Sequence, residues 1–354
     1  MMTKTYRDLK KEVWDEGKCA GCGACVAVCP ADAFTFPGGE THPRHSEYCK
    51  EATDGVPCGA CYEVCPRVVP VSMDQPLIGR SLRILSAKAG FEVPGRQSGG
   101  AVTALLVHAL ESGLVDAVVT VTEDRWTHRP SSAVITSSEV LVSQAGSRYN
   151  WWVPLMAALK DAVITKKCRK IAVVGVPCVV QAIKRIRESE NALLRPFKNS
   201  IRLVIGLFCT ESFDYRKLVE GKLAGERHIE PWQIQRFEVK GSLDITLSDG
   251  TLMSLPLSEL DDCVRPGCAT CSDFSALDSD ISAGSVGSEA GYTTLITRTP
   301  VGEGFLGRAV QAGHLVTGPE IDRKVIERLA AKKRKRMQTS SLSGSNLSGT
   351  KQST

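Results

Sequence analysis

Fourteen cysteines stand among 354 residues, and eight of them fall before residue 66. The run Cys19-Ala-Gly-Cys22-Gly-Ala-Cys25-Val-Ala-Val-Cys29-Pro30 has the spacing C-x2-C-x2-C-x3-C-P. Three near thiolates at that spacing wrap one cubane iron–sulfur cluster, while the fourth cysteine crosses to a second cluster. A second copy, Cys58-Gly-Ala-Cys61-Tyr-Glu-Val-Cys65-Pro66, lacks the usual first ligand, and Cys49, nine residues before Cys58, replaces it. The expected ligand sets are Cys19, Cys22 and Cys25 with Cys65, and Cys49, Cys58 and Cys61 with Cys29. Gly21, Gly23 and Gly59 allow tight turns that aim backbone N–H groups at cluster sulfides, which raises the reduction potential. The bland alternative is a pair of structural zinc sites, but zinc asks for paired C-x2-C knuckles and has no use for a third near cysteine followed by Cys-Pro.

Three more thiols, Cys263, Cys268 and Cys271, lie within nine residues. A third 4Fe–4S site built on them needs one further thiol. Cys178, at a strand-to-helix turn in Gly175-Val-Pro177-Cys178, is placed with them, and Cys209, at a strand end, is the alternative. Buried thiols without metal are the competing reading. Cys168, flanked by Lys167 and Arg169, reads as an ordinary surface residue.

The elements that must position these thiols fall into three parts. Residues 1–75 are rich in Cys, Gly and Pro and read as a two-cluster, ferredoxin-like domain too small to rely on an apolar core, so bound metal must supply much of its stability. Residues 80–331 alternate strand-like apolar runs with helical patterns, the mark of a mixed α/β domain. Strands are expected at 82–87, 115–121, 170–174, 202–208 and 292–298, and helices at 100–111, 151–163, 179–187, 215–224 and 322–331. Asp249-Gly250 between alternating runs predicts a hairpin with a type I′ turn. Residues 332–354 read as a basic, then disordered, tail, the Ser/Gly/Thr/Asn-rich stretch beginning at Gln338.

Composition narrows the function classes. A hydrophobic fraction of 42% and a charged fraction of 23% are ordinary globular values. No apolar run approaches the ~20 residues that span a bilayer, and the first residues have no signal-peptide stretch, so a cytoplasmic protein, peripheral at most on the inner face of the membrane, is expected. The formal net charge is +5, and Lys332-Lys333-Arg334-Lys335-Arg336 alone accounts for it, so a nucleic-acid-binding body is not expected. That run has two readings: a cationic end to the last helix, favourable to its dipole, or a docking patch for an acidic partner or anionic membrane surface.

Several short motifs in fixed order resemble the beta-subunit family of coenzyme F420 hydrogenases and dehydrogenases. They are Arg96-Gln-Ser98-Gly99-Gly100-Ala-Val-Thr103, Gly146-Ser147-Arg148-Tyr149, Gly175-Val-Pro-Cys178, Gly206-Leu-Phe-Cys209-Thr-Glu211, the Cys263/Cys268/Cys271 group, and Ser279-Asp280-Ile281-Ser-Ala-Gly284-Ser285-Val-Gly287-Ser288. The fused cysteine-rich head is similar to that of the electron-input subunits of dehydrogenase complexes that oxidise reduced F420. The resemblance implies FAD, a 4Fe–4S cluster beside it and coenzyme F420 as substrate, with subunits of a membrane-bound dehydrogenase complex or a soluble ferredoxin as partner. It also implies an FAD-binding α/β domain that is not a Rossmann fold, in keeping with the lack of a G-x-G-x-x-G after a strand. Implied cofactor contacts are Ser98, Gly99, Gly100 and Thr103 before and in a helix, Gly146, Ser147, Arg148 and Tyr149, and Asp280, Gly284, Ser285 and Gly287 in a second cradle. Arg96 and Arg148 are candidates for the anionic tail of F420.

A deazaflavin passes electrons as hydride, iron–sulfur clusters take them singly, and a flavin does both, so such a chain needs positioning rather than a catalytic acid–base residue. The competing readings are a related FAD and cluster reductase acting on another substrate, the beta subunit of a formate dehydrogenase, a pure electron carrier, and an interaction subunit without flavin.

Overall fold

The computed structural model describes residues 3–69, 74–146, 152–239 and 241–345, with side chains to residue 339. The cysteine-rich head opens with α1 (Tyr6–Leu9), where Thr5 and Asp8 form a capping box, Thr5 N–H donating to Asp8 at 2.8 Å. The chain continues as a π-helical turn, Lys10–Trp14. Then come α2 (Ala24–Val28), the antiparallel pair β1 (Phe34–Thr35) and β2 (Arg44–His45), α3 (Lys50–Asp54) and α4 (Ala60–Glu63). Gly23 and Gly59 stand at the N-caps of α2 and α4 with φ of 79° and 61°, left-handed values that let each thiol-bearing loop turn directly into its helix.

The body begins with β3 (Arg83–Ala89), α5 (Ala101–Glu111), β4 (Ala117–Glu123), β5 (Pro130–Ile135), α6 (Ser138–Ser143) and α7 (Met156–Lys160). It continues with β6 (Ile171–Gly175), α8 (Pro177–Glu188), α9 (Arg195–Ser200), β7 (Ile201–Leu207) and the small sheet β8 (Ile234–Val239), β9 (Ser242–Leu247) and β10 (Leu252–Pro256). β11 (Ile281–Gly284), β12 (Thr293–Thr297), α10 (Pro300–Gln311), β13 (Leu315–Thr317) and α11 (Arg323–Ser345) complete it. The main sheet has eight strands in the order β13-β3-β12-β11-β7-β6-β4-β5. β4, β6, β7 and β11 are parallel; β12 is antiparallel to both β11 and β3, so β3 runs with the parallel set. The carboxyl ends of β3, β6, β7 and β11 therefore share one edge, where open α/β sheets place their ligands.

The head is not a separate small core held by metal alone. Ala24, Ala27, Val28, Ala60 and Val64 belong to the same buried cluster as Met156, Leu159 and Ile183 of the body, so the inner half of the head packs as part of the larger core. The outer half, around Leu9, Val13, Trp14 and Phe34, has its own smaller cluster. α3 has no buried residue and is tied in chiefly by Cys49 and Glu51. Stripping the metal with an anaerobic chelator should accordingly place the first protease cuts within residues 37–58; first cuts in the main sheet would contradict this distribution of stability.

Four expectations need correction. The helix expected over 151–163 starts only at Met156, because Pro154 disfavours helix before it, and it continues as a π-turn to Thr165. The hairpin turn is a three-residue loop in which Gly250 alone takes a left-handed φ (87°) while its N–H donates to Leu247 O at 3.0 Å; a type I′ turn would need Asp249 left-handed as well. The antiparallel β5, the short strands β11 and β13, and α10 were not expected, β11 being only four residues of which two are Ala and Gly. The last helix does not end at 331, nor does irregular chain begin at Gln338: α11 carries the basic run on to Ser345, anchored by buried Ile326 and Ala330, with Lys333 4% exposed. Residues 346–354 lie outside the described residues.

Candidate redox site

The cysteines resolve into three groups of four. Cys19, Cys22, Cys25 and Cys65 each act electrostatically on the other three. Cys58 and Cys61 act on each other and both act on Cys29 and Cys49. These are the two crossed sets that the spacing predicts, with Cys49 in place. The third group is Cys178, Cys209, Cys268 and Cys271, again with every pair in electrostatic reach.

Cys263 does not belong to the third group. Its side chain is fully buried among Leu218, Phe237 and Leu260 under the small sheet, with its Sγ 3.7 Å from the Asp262 carboxylate. Burial, reinforced by Asp262, pushes its thiol up to about 11. Both Cys178 and Cys209 are in, and Cys263 is out. The reason is local: the turn Pro266–Cys268 directs Cys268 and Cys271 to the carboxyl edge of the main sheet, whereas Cys263 closes the helix Leu257–Cys263 on the other side.

Burial raises the thiols of Cys22, to about 12, and of Cys25, Cys61, Cys178 and Cys209. As free thiols they are inert; a bound metal is what would draw off their protons. Among the described residues no three His, Cys, Asp or Glu converge closely enough to hold a single metal ion. Backbone N–H groups of Ala24, Ala60, Arg67 and Ser212 point at Cys22, Cys58, Cys65 and Cys268. At the third group two buried polar atoms, Arg67 Nε and Asp273 Oδ1, have no protein partner. The Arg67 Nε–H is a donor that fits an acceptor such as sulfide held by these thiols, whereas the Asp273 oxygen, itself an acceptor, does not.

The groups form a line. Cys178 of the third acts on Cys22 of the first, and its Sγ lies 4.0 Å from Ala20 O. Cys25 of the first acts on Cys61 of the second. Side chains lock this order. Arg265, just before Cys268, is buried, donates to Cys19 O at 3.3 Å and stacks 4.1 Å from the Trp152 ring. Trp152 Nε1 donates to Gly21 O at 3.0 Å, and Met156 N–H to Cys22 O at 3.0 Å. Gly267 lies so close to the head that a Cβ there would sit 2.1 Å from Cys19 O.

Residues 84–160 match the family model for the N-terminal part of the coenzyme F420 hydrogenase/dehydrogenase beta subunit, residues 168–323 match the model for the C-terminal part, and residues 12–35 match a 4Fe-4S binding domain. An uncharacterized protein of Methanocaldococcus jannaschii is 41% identical over 95% of this chain and 99% of its own. The F subunit of the F(420)H(2) dehydrogenase of Methanosarcina mazei is 30% identical over 92% of this chain and 91% of its own. The chain belongs to the coenzyme F420 hydrogenase/dehydrogenase beta-subunit family. A chain of the F420-reducing [NiFe] hydrogenase complex from Methanosarcina barkeri superposes with a TM-score of 0.70 at 29% identity, covering 76% of this chain and 94% of that one. Among the described residues no helix is long and apolar enough to cross a membrane.

The other residues that the family resemblance singles out fare unevenly. The Ser98–Gly100 loop, the segment after Gly284 and Cys178 and Cys209 of the third group follow strands whose carboxyl ends lie on one edge of the main sheet. Ser98, Gly100 and Thr103 are half-exposed there, at the start of α5, whose first intrahelical bond is Ala104 N–H to Gly100 O. The first-turn amides remain for an anion. Gly99, however, is spent on packing: its N–H donates to Thr293 Oγ1 at 3.1 Å, and a Cβ would meet Ala87 O at 2.5 Å. Asp280 is a buried structural anion, accepting from Arg187 at 2.9 Å, Val204 N–H at 2.8 Å and Thr299 Oγ1 at 2.8 Å. Gly284 makes room for the Phe208 ring, and Gly287 for Ile326 of α11. Ser285 is exposed. Ser147, Arg148 and Tyr149 lie outside the described residues, next to Gly146. Sequence reasoning missed Arg67, Arg265 and Lys333 as site residues; the signals were the place of Arg67 directly after Cys65-Pro66 and of Arg265 between Cys263 and Cys268.

Proposed function

We propose that this protein exchanges reducing equivalents between coenzyme F420 and a one-electron partner, through a flavin and three 4Fe–4S clusters. The observation that carries it is the contiguous order of the three four-thiol groups, from the sheet edge of the body to the outer face of the head. Such a line has a use only where electrons travel singly over a distance. A flavin supplies the exchange between hydride and single electrons.

This chain's own residues do the positioning. Ser98, Gly100, Thr103 and the opening turn of α5 would hold the anionic part of FAD, on the same edge as the third cluster. Cys178, Cys209, Cys268 and Cys271 would hold that cluster, Cys19, Cys22, Cys25 and Cys65 the next, and Cys29, Cys49, Cys58 and Cys61 the last. Arg265 and Trp152 keep the first and third in register. Exposed Arg96 is available for the anionic tail of F420. The partner is a subunit of a dehydrogenase complex or a soluble ferredoxin, meeting the chain at the outer cluster. The test is anaerobic purification with iron and flavin analysis, followed by the F420 assay described at the close of the Discussion. About twelve irons with flavin support the reading, and eight irons without flavin would favour a plain electron carrier.

A further inference from the structure

Lys333 belongs to α11, in a run whose composition suggests a solvated face, yet it is 4% exposed and its Nζ donates to Cys209 O at 2.6 Å. It acts on Cys271, Cys209 and Cys268, three of the four thiols of the third group. Arg67 acts on Cys271, Cys178 and Cys268, and comes from the head, bonded at 3.3 Å to Gln181 of α8. Neighbouring side chains hold α11 in place: Arg336 pairs with Glu211 and donates to Thr210 O at 2.8 Å, and Arg334 donates to Gln75 O at 3.1 Å. The buried Asp273 carboxylate acts on Cys271 as well, so Lys333 and Arg67 stand there as two cations against one anion.

The second group has mixed surroundings, with Lys50 acting on Cys58. There the Glu51 carboxylate accepts from Cys58 N–H at 3.0 Å and from Gly59 N–H at 2.8 Å.

Reduction adds one electron, hence one negative charge, to a cluster already carrying four thiolates. In a poorly solvated site a fixed cation favours the reduced form and a fixed anion the oxidised form. We propose that Lys333, with Arg67, raises the potential of the third cluster, so that the docked C-terminal helix tunes how readily an electron rests there. This builds on the reading that the four cysteines hold a 4Fe–4S cluster.

The test is a redox titration of the full-length protein, purified without oxygen, followed by EPR, with iron analysis of every sample. Lys333→Gln keeps a donor for Cys209 O but removes the charge; Lys333→Arg keeps the charge; Arg67→Gln removes the second cation independently. The expected result is a lower midpoint for the third cluster alone in Lys333→Gln, and in Arg67→Gln a lower midpoint for the third cluster and for the first, whose Cys22 and Cys65 Arg67 also reaches. The shift expected for Lys333→Gln is at least tenfold in the equilibrium constant, about 59 mV for a one-electron couple. Lys333→Arg restores the midpoint. An unchanged midpoint, a shift shared equally by all three clusters, or loss of the third cluster's iron in place of a shift overturns the inference. Eight irons in the unmutated protein would overturn the cluster itself and this inference with it.

Discussion

Replacing Cys209 with alanine should remove about four of about twelve irons and abolish electron flow between flavin and head, while Cys263→Ala should leave the iron content unchanged. The contrast is large because the two thiols look equivalent in sequence. Cys263 belongs to the tight run with Cys268 and Cys271, and Cys209 stands more than fifty residues away. In space Cys209 ends β7 beside Cys178, Cys268 and Cys271, and its thiol is buried and raised. Cys263 faces Leu218 and Leu260, so a smaller side chain there leaves a modest cavity under the small sheet, costing on the order of 1 kcal/mol. Iron analysis and the EPR spectrum of the reduced protein decide it. Equal iron loss in both variants, or loss in Cys263→Ala alone, would restore the ligand set that spacing suggests.

Gly267→Ala should separate the head from the body. A Cβ at this position would meet Cys19 O at 2.1 Å, Cys19 C at 2.6 Å and Lys18 O at 3.1 Å, all main chain and unable to rotate away. Overpacking of this kind costs roughly 1–3 kcal/mol, and here relief requires the loop bearing Cys268 to draw back from the loop bearing Cys19. The expected result is a lower melting temperature with all irons retained, together with a fall of at least tenfold in the rate at which the head clusters are reduced through the flavin. Gly304→Ala is the control. Gly304 lies in α10 with nothing within 4 Å of a Cβ, so alanine there should be neutral or stabilise by about 0.5–1 kcal/mol. A Gly267→Ala protein as stable and as well coupled as Gly304→Ala would show that the close approach does not matter.

How far the site could be read from sequence follows the range of each interaction. Which thiols of the head come near one another was legible, Cys49 included, because such a loop is a local device and its spacing is fixed by backbone reach. The parallel strands β6 and β7 were legible as short apolar runs. The third ligand set was legible only in part: Cys268 and Cys271 are local, but the choice among Cys178, Cys209 and Cys263 depends on which strand ends share an edge, and the crossover through β11 decides that. β11 itself has too few apolar residues to announce a central strand. The Asp280 motif misled for a related reason. A conspicuous acid beside glycines suggests a ligand contact, and only the fold reveals Arg187, Val204 and Thr299 already around it. Lys333 was invisible because a run of five cations looks alike along its length, while helical geometry turns one of them inward.

The most direct test of the account mixes the anaerobically purified protein with reduced coenzyme F420 and a one-electron viologen dye, and follows both spectra. The account predicts that the near-visible band of oxidised F420 returns as the dye is reduced, two dye molecules for each F420, and that Cys209→Ala stops the transfer to a dye or partner served by the head. A preparation that holds its flavin and about twelve irons yet leaves reduced F420 untouched would contradict it.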